Sequence, residues 1–187
     1  IGIHVVGLGF DETHPEMLAA IARQEDARLQ RAKTIAERLE KEGIHGVWEK
    51  AEAIANGAQI GRPHFAQALI EMEKVSNMAQ AFKRYLGAGK PGDVKTHWPD
   101  IVEVVGWIRA AGGVAVVAHP DKYKMTNTKL KCMVKAFSEA GGKGLEVVRG
   151  ATEGTFSRRM VELCNELGFL ASQGSDFHGP RPWSELG

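Results

Sequence analysis

The second half of the chain alternates short apolar runs with amphipathic stretches, and this alternation constrains the fold more than any other feature. From residue 99 onward, three helical patterns each end near glycine, and each is followed by a run of strand type: Val114–Ala118, Gly144–Val148 and Phe169–Ser172. Apolar runs of this length are typical of strands that are buried on both faces. The pattern therefore predicts an α/β fold with a parallel sheet and right-handed crossovers.

The first half of the chain has a different pattern. Residues 1–10 have the pattern of a strand, whereas the stretch that follows contains four helical patterns and no strand. We interpret residues 1–14 and 99–187 as one α/β framework and residues 15–98 as a helical insertion subdomain. The expected organisation is thus one fold that is interrupted once.

Composition excludes several classes of protein. The chain is 43% hydrophobic and 25% charged with a formal net charge of +1, so charge alone would not hold nucleic acid. Cys132 and Cys164 form no CxxC pair, which favours two reduced thiols. No apolar run approaches the ~18 residues of a membrane span. We therefore expect a cytoplasmic protein with neither signal peptide nor membrane segment.

Residues of types that commonly bind metals follow two of the predicted strands. Asp176 and His178 come directly after Phe169–Ser172, and an extended backbone would point both side chains to the same side. His119 follows Val114–Ala118, and Pro120 ends that strand. Because the carboxyl ends of parallel strands meet at one edge, we expect one site for a divalent metal there.

Each of these residues also has a structural interpretation. Asp176 is compatible with a capping residue, and His178 and His119 with histidines that are satisfied in turns. On spacing alone, His4 in the first strand is more often a structural residue than a ligand. Glu146 lies in an apolar strand and needs a partner, so it is a candidate support for the metal site.

The segment Gly61-Arg62-Pro63-His64 opens a predicted helix. Free N–H groups at a helix start bind anions, and an arginine adds a bidentate fork for phosphate. His64 is a candidate phosphate donor or general acid. A surface arginine with a first-turn histidine explains the segment equally well. The glycine-rich loop over residues 87–92 lacks the GxxxxGK[ST] pattern and does not indicate a nucleotide P-loop.

Five segments occur together in an order that resembles a known family. The series closely resembles the PHP-domain metal-dependent phosphoesterases, in the bacterial branch of 5′→3′ exoribonucleases and nucleoside 3′,5′-bisphosphate phosphatases. The segments are Ile3-His4-Val5-Val6-Gly7-Leu8, Gly61-Arg62-Pro63-His64, Ala118-His119-Pro120, Gly144-Leu145-Glu146-Val147 and Gly174-Ser175-Asp176-Phe177-His178.

The resemblance implies a distorted seven-stranded β/α, TIM-like barrel with up to three divalent metals, usually manganese and sometimes zinc or iron. It implies a nucleotide or short RNA substrate whose phosphate ester is hydrolysed by a metal-activated water. The residues it assigns fall into three groups: His4, His119, Asp176 and His178 as metal ligands, Arg62 and His64 as phosphate-binding residues, and Asp176, His178 and His64 as catalytic residues.

The chain also departs from the family pattern. The family's HxH strand, its TDHD-like turn and a strand with a glutamate ligand would all precede Ile1. We therefore expect this chain to be the C-terminal two-thirds of such an enzyme. An incomplete barrel exposes strand edges, so we expect self-association or an N-terminal segment that completes the barrel.

Other functions stay open at this point. One is a PHP phosphatase of another small phosphomonoester, such as a histidinol-phosphate-like substrate. A second is a non-catalytic metal-binding fragment that lacks the N-terminal ligands. A deaminase-type amidohydrolase fits less well, because its additional lysine or histidine ligands have no counterpart here.

Overall fold

A computed structural model describes residues 2–95, 98–149 and 154–177 of the chain. The chain divides into two compact units, and the division falls after Leu18 and before Trp98. We call Ile1–Leu18 with Trp98–Gly187 the sheet unit, and Ala19–His97 the helical unit.

The elements in chain order alternate in type only after residue 100. They are β1 (Val5–Leu8), α1 (Pro15–Lys41), α2 (Val47–Ala55), α3 (Arg62–Glu71), α4 (Met78–Ala81), a π-helical turn (Phe82–Leu86), α5 (Ile101–Ala110), β2 (Val114–Val117), a 3₁₀ helix (Pro120–Tyr123), α6 (Asn127–Glu139), β3 (Gly144–Arg149), α7 (Gly154–Leu167) and β4 (Leu170–Gly174). Among the helices that the structure describes, none is both long and apolar enough to cross a bilayer.

The four described strands form one sheet in the order β1-β2-β3-β4. The pairs β2–β3 and β3–β4 are parallel, as the sequence predicts. β1, which the parallel pattern does not include, runs antiparallel to β2, with Val5 opposite Val117 and Leu8 opposite Val114. The start of β1 therefore lies at the edge where β2 ends.

Local sequence sets the ends of the helices in the sheet unit. Asp100 caps α5 by accepting from the Glu103 N–H at 2.9 Å, and the Glu103 side chain accepts from the Asp100 N–H at 3.2 Å. The helices α5, α6 and α7 are each followed by a glycine with positive φ, a conformation that costs glycine little. These glycines are Gly112, Gly141 and Gly168.

Each unit has its own apolar core. In the sheet unit, α5, α6 and α7 pack on the sheet, and fully buried side chains include Val117, Val134, Phe137, Leu145 and Met160. In the helical unit, the fully buried side chains include Ile35, Leu39, Val47, Phe65, Leu69 and Leu86.

The two cores predict separate effects on stability. Phe137→Ala and Phe65→Ala each remove a ring with no exposed surface, one in each core. We expect each to lower the free energy of unfolding by about 3–5 kcal/mol. Hydrogen exchange should accelerate in the sheet unit for Phe137→Ala and in the helical unit for Phe65→Ala. Leu29→Ala, at a side chain that is 41% exposed, is the control. Uniform acceleration throughout the chain in both variants would contradict two separate cores.

Candidate active site

Two histidines meet where β1 begins and β2 ends. His4 precedes β1 and His119 follows β2, and the antiparallel pairing of these strands brings both to the same edge. His4 Nδ1 lies 3.0 Å from His119 Nε2. The ring centroids are 4.8 Å apart, and the ring planes are inclined by 78°. The structure thus joins two residues that are 115 positions apart in sequence.

This pair fits part of a divalent metal site. The 3.0 Å between the two nitrogens is a hydrogen-bond distance, with donor and acceptor set by the tautomers of the rings, and a metal held by both nitrogens would take the place of the shared proton. His119 Nδ1 is buried and has no hydrogen-bond partner among the described residues. Imidazole nitrogens are ligands for zinc and iron and also for manganese when oxygen ligands complete the set.

The backbone of His119 is held in an uncommon conformation. Its φ is 31° and its ψ is 58°, in the left-handed region, and Pro120 follows it. A residue with a side chain is strained there, so surrounding contacts must compensate for the strain. The His119 N–H donates to a carboxylate oxygen of Glu146. That bond provides the partner that the sequence requires for Glu146.

A bulge in β3 lies beside Glu146. The register with β4 shifts between Glu146 and Val148, so that Glu146 pairs with Ser172 and Val148 with Gln173. Bulges re-aim side chains near functional sites. A Cβ added at Gly174 would overlap Glu146 Oε1. The glycine therefore leaves room for the carboxylate that supports His119.

Tyr123 connects the two histidine segments. Its hydroxyl accepts from the His4 N–H at 2.9 Å and donates to the Ala118 carbonyl at 2.8 Å. Burial raises the pKa of Tyr123, and the negative charge of Glu146 raises it further, whereas the bond from the His4 backbone lowers it. The hydroxyl consequently keeps its proton and remains able to donate to Ala118.

Asp176 follows β4 at the same edge of the sheet. Its φ of 54° is left-handed, so the extended backbone assumed for the Asp176–His178 segment is wrong at Asp176. Asp176 Oδ2 lies 3.9 Å from Arg149 Nη1, and Arg149 Nη2 donates to Asp121 Oδ2 at 2.9 Å. One guanidinium thus contacts two carboxylates, and its hydrogen bond to Asp121 raises the pKa of Arg149.

The predicted ligands are brought together only in part. His4 and His119 are in contact, Asp176 lies at the same edge next to Arg149, and His178 lies outside the described residues. Within the ranges 2–95, 98–149 and 154–177, no group of three or more His, Cys, Asp or Glu side chains is arranged to hold a metal. The structure therefore brings two of the four predicted ligands into contact, each through an imidazole nitrogen.

The predicted phosphate-binding residues lie in the helical unit. Gly61 caps α3, and the Gly61 N–H donates to His64 Nδ1 at 3.0 Å. This bond occupies Nδ1 as an acceptor, so in the neutral ring the proton lies on Nε2. Arg62 lies over the ring of Phe82 at 5.9 Å. His64 is thereby oriented with an N–H that is able to donate to an anion.

Arg31 is a second arginine whose charge interacts with that of Arg62. Its Nε donates to the Val94 carbonyl at 2.9 Å. Burial lowers the pKa of Arg31, the positive charge of Arg62 lowers it further, and Asp93 acts in the opposite direction. Two arginines that repel each other form a favourable environment for an anion.

Sequence patterns did not indicate four of the residues that shape these sites. Tyr123 follows a predicted ligand by four positions, and such spacing carries no signal of a contact with His4. Arg149 ends β3, where residues at the carboxyl end of a strand are candidates for function. That rule would have selected Arg149, whereas no local signal selects Asp121 or Arg31.

Gly174→Ala tests the support of His119 by Glu146. The added Cβ would displace the Glu146 carboxylate, and the His119 N–H would lose its partner. We expect the free energy of unfolding to fall by about 1.5–3 kcal/mol, the value of a hydrogen bond to a charged group. The His119 amide resonance should shift as well. The control is Gly106→Ala, where a Cβ meets nothing within 4 Å. Wild-type stability with an unchanged His119 resonance would contradict the assignment.

The chain is similar in sequence to three bacterial enzymes along nearly its whole length. It is 42% identical over 186 residues to the 5′-3′ exoribonuclease of Haemophilus influenzae, and the match covers 100% of this chain and 68% of that protein. It is 44% identical to the 5′-3′ exoribonuclease Rnm of Escherichia coli, with coverage of 99% and 63%. It is 38% identical to the 3′,5′-nucleoside bisphosphate phosphatase of Chromobacterium violaceum, with coverage of 95% and 63%. The chain thus spans about two thirds of the length of these relatives.

Two solved structures share the fold. An amidohydrolase from Chromobacterium violaceum, with bound sulfate and no metal, has a TM-score of 0.82 at 37% identity and matches 97% of this chain and 64% of its own. A protein described as a metal-dependent phosphoesterase, from Bifidobacterium adolescentis, has a TM-score of 0.81 at 26% identity, with coverage of 100% and 66%. A scan against protein-family models finds no match. The relatives confirm the resemblance, and the chain belongs to the PHP-type metal-dependent phosphoesterases, in the group of 5′-3′ exoribonucleases and nucleoside 3′,5′-bisphosphate phosphatases.

Proposed function

We propose that the protein is a metal-dependent phosphoesterase that hydrolyses nucleoside 3′,5′-bisphosphates or the 5′ ends of short RNA. The observation that carries this proposal is the 3.0 Å contact of His4 with His119 at one sheet edge. The names of the relatives supply the substrate class, because they act on RNA or on nucleoside bisphosphates.

Four residues of this chain would hold the metal. His4 and His119 contribute nitrogens, Asp176 contributes carboxylate oxygen, and His178 is the fourth candidate. This mixed nitrogen and oxygen set suits manganese, with zinc or iron as alternatives. A bound divalent metal supplies an activated water and neutralises phosphoryl oxygens, and up to three ions would fit the complete family site.

Residues of the sheet unit prepare this site in two ways, and residues of the helical unit are proposed separately as phosphate ligands. Glu146 accepts the His119 N–H and fixes the backbone from which the imidazole projects. Arg149 lies near Asp176 and limits the directions that its carboxylate can take. In the helical unit, His64 would donate its Nε2 proton to a substrate phosphate, and Arg62 would add a bidentate contact.

We also propose that the sheet unit is one part of a distorted seven-stranded barrel and that the helical unit is its insertion. Among the described strands, β1 and β4 are the outer ones, and Val6, Leu8 and Leu170 are each more than 40% exposed. Strands from a further segment, or from a second copy of the chain, would cover those edges. We place the reaction in the cytoplasm because Cys132 and Cys164 are both free thiols.

Phosphate release tests the activity. The 187-residue chain would be assayed with Mn²⁺ and adenosine 3′,5′-bisphosphate, alone and co-expressed with the part of the Escherichia coli relative that it does not match. His119→Ala should lower kcat/KM by at least about 100-fold, since losing a ligand should cost more than losing the residues behind it. His45→Ala, at an exposed histidine, is the control and should retain activity.

The outcomes separate the alternatives. Activity only in the co-expressed form would make the chain one part of a shared active site. Activity toward another phosphomonoester, and none toward nucleotides or 5′-phosphorylated oligoribonucleotides, would overturn the nucleotide assignment. Absence of activity with Mn²⁺ still bound would favour the metal-binding fragment.

Arg62→Lys tests the phosphate role independently of the metal. Lysine keeps the charge but loses the bidentate fork. We expect KM to rise about tenfold, in line with the loss of one charge-assisted hydrogen bond of ~1.5 kcal/mol, while Mn²⁺ affinity stays at the wild-type value. Arg84→Lys, in the π-helical turn that follows α4, should leave KM unchanged. Unchanged KM in Arg62→Lys would remove Arg62 from the substrate site.

A further inference from the structure

The Tyr123 hydroxyl is inserted into the hydrogen-bond ladder between β1 and β2. The register places Val5 opposite Val117, so His4 stands opposite Ala118. The Ala118 N–H donates to the His4 carbonyl at 3.0 Å, which marks this as a hydrogen-bonded pair. Such a pair in an antiparallel sheet normally exchanges two direct N–H···O bonds.

Here the second bond of the pair is not direct. The His4 N–H donates to the Tyr123 hydroxyl at 2.9 Å, and the hydroxyl donates to the Ala118 carbonyl at 2.8 Å. Two hydrogen bonds through the tyrosine oxygen thus take the place of one direct N–H···O bond, which would be about 2.9 Å long. The hydroxyl therefore holds the two strand ends further apart on this side than a regular ladder would.

The inserted hydroxyl contacts the backbone from which both histidine side chains project. His4 is one member of the opened pair, and His119 is the residue after the other member, Ala118. The Tyr123 ring itself lies 5.5 Å from the His119 ring, with an interplanar angle of 56°. Tyr123 is only 7% exposed and belongs to the core of the sheet unit, so its hydroxyl occupies a fixed position.

We propose that Tyr123 is a positioning residue whose hydroxyl sets the separation and orientation of the His4 and His119 imidazoles. Without the hydroxyl, the His4 N–H and the Ala118 carbonyl would pair directly, and the strand ends would close. His4 would then move relative to His119. The consequence for metal binding rests on the proposed function, whereas the consequence for the ring geometry does not.

Tyr123→Phe removes the hydroxyl and keeps the buried ring. We expect the affinity for Mn²⁺, titrated by electron paramagnetic resonance, to fall about 10–100-fold, as for other residues that support metal-binding histidines. The imidazole ¹⁵N resonances of His4 and His119 should shift in the metal-free protein. The matched control is Tyr85→Phe, the only other tyrosine in the sequence, which lies in the helical unit.

The outcomes distinguish the inference from the proposed function. If His119→Ala leaves Mn²⁺ affinity unchanged, or the wild-type chain binds no Mn²⁺, the metal role of the pair is wrong. The imidazole resonances of His4 and His119 then decide the positioning role. A shift of these resonances in Tyr123→Phe but not in Tyr85→Phe would support it. If those resonances in Tyr123→Phe match wild type and Tyr85→Phe, the inference is overturned. A melting temperature measured for each variant separates a moved pair from an unfolded one.

Discussion

The antiparallel pairing of β1 with β2 is the constraint on which the candidate site depends. A parallel β1 would place His4 at the opposite edge of the sheet, roughly 13 Å away for four residues at ~3.3 Å each. Because β1 instead runs antiparallel to β2, His4, which precedes β1, lies beside His119. The inserted tyrosine, the Glu146 bond and the placement of Asp176 all concern the edge that this pairing creates.

Several carboxylates and an arginine lie together at that edge. Three carboxylates, those of Glu146, Asp121 and Asp176, lie close enough to raise the pKa of Tyr123, and Arg149 is the guanidinium that contacts two of them. Carboxylates at a partly buried edge favour a cation. Arg149 holds the carboxylates of Asp121 and Asp176 in place. Carboxylate oxygens and imidazole nitrogens can both bind a divalent cation.

Periodicity predicted most of the elements because each depends on local sequence. The predicted strand Val114–Ala118 is observed as Val114–Val117, and the predicted strand Gly144–Val148 is observed as Gly144–Arg149. Periodicity carries no strand direction, so it could not reveal that β1 is antiparallel. Nor does it encode contacts between distant residues, which is why Tyr123 and the Arg149–Asp121 pair were missed. The fold of the α/β half was thus predictable, whereas the packing that orients the site was not.

The left-handed backbones of His119 and Asp176 have a consequence for which residues suit these two positions. Glycine adopts this conformation without the strain of about 1–3 kcal/mol that other residues carry. A glycine at either position would relieve that strain, but it would remove the imidazole or the carboxylate from this edge of the sheet. At these two positions, an unstrained backbone and a side chain able to bind a cation therefore exclude each other.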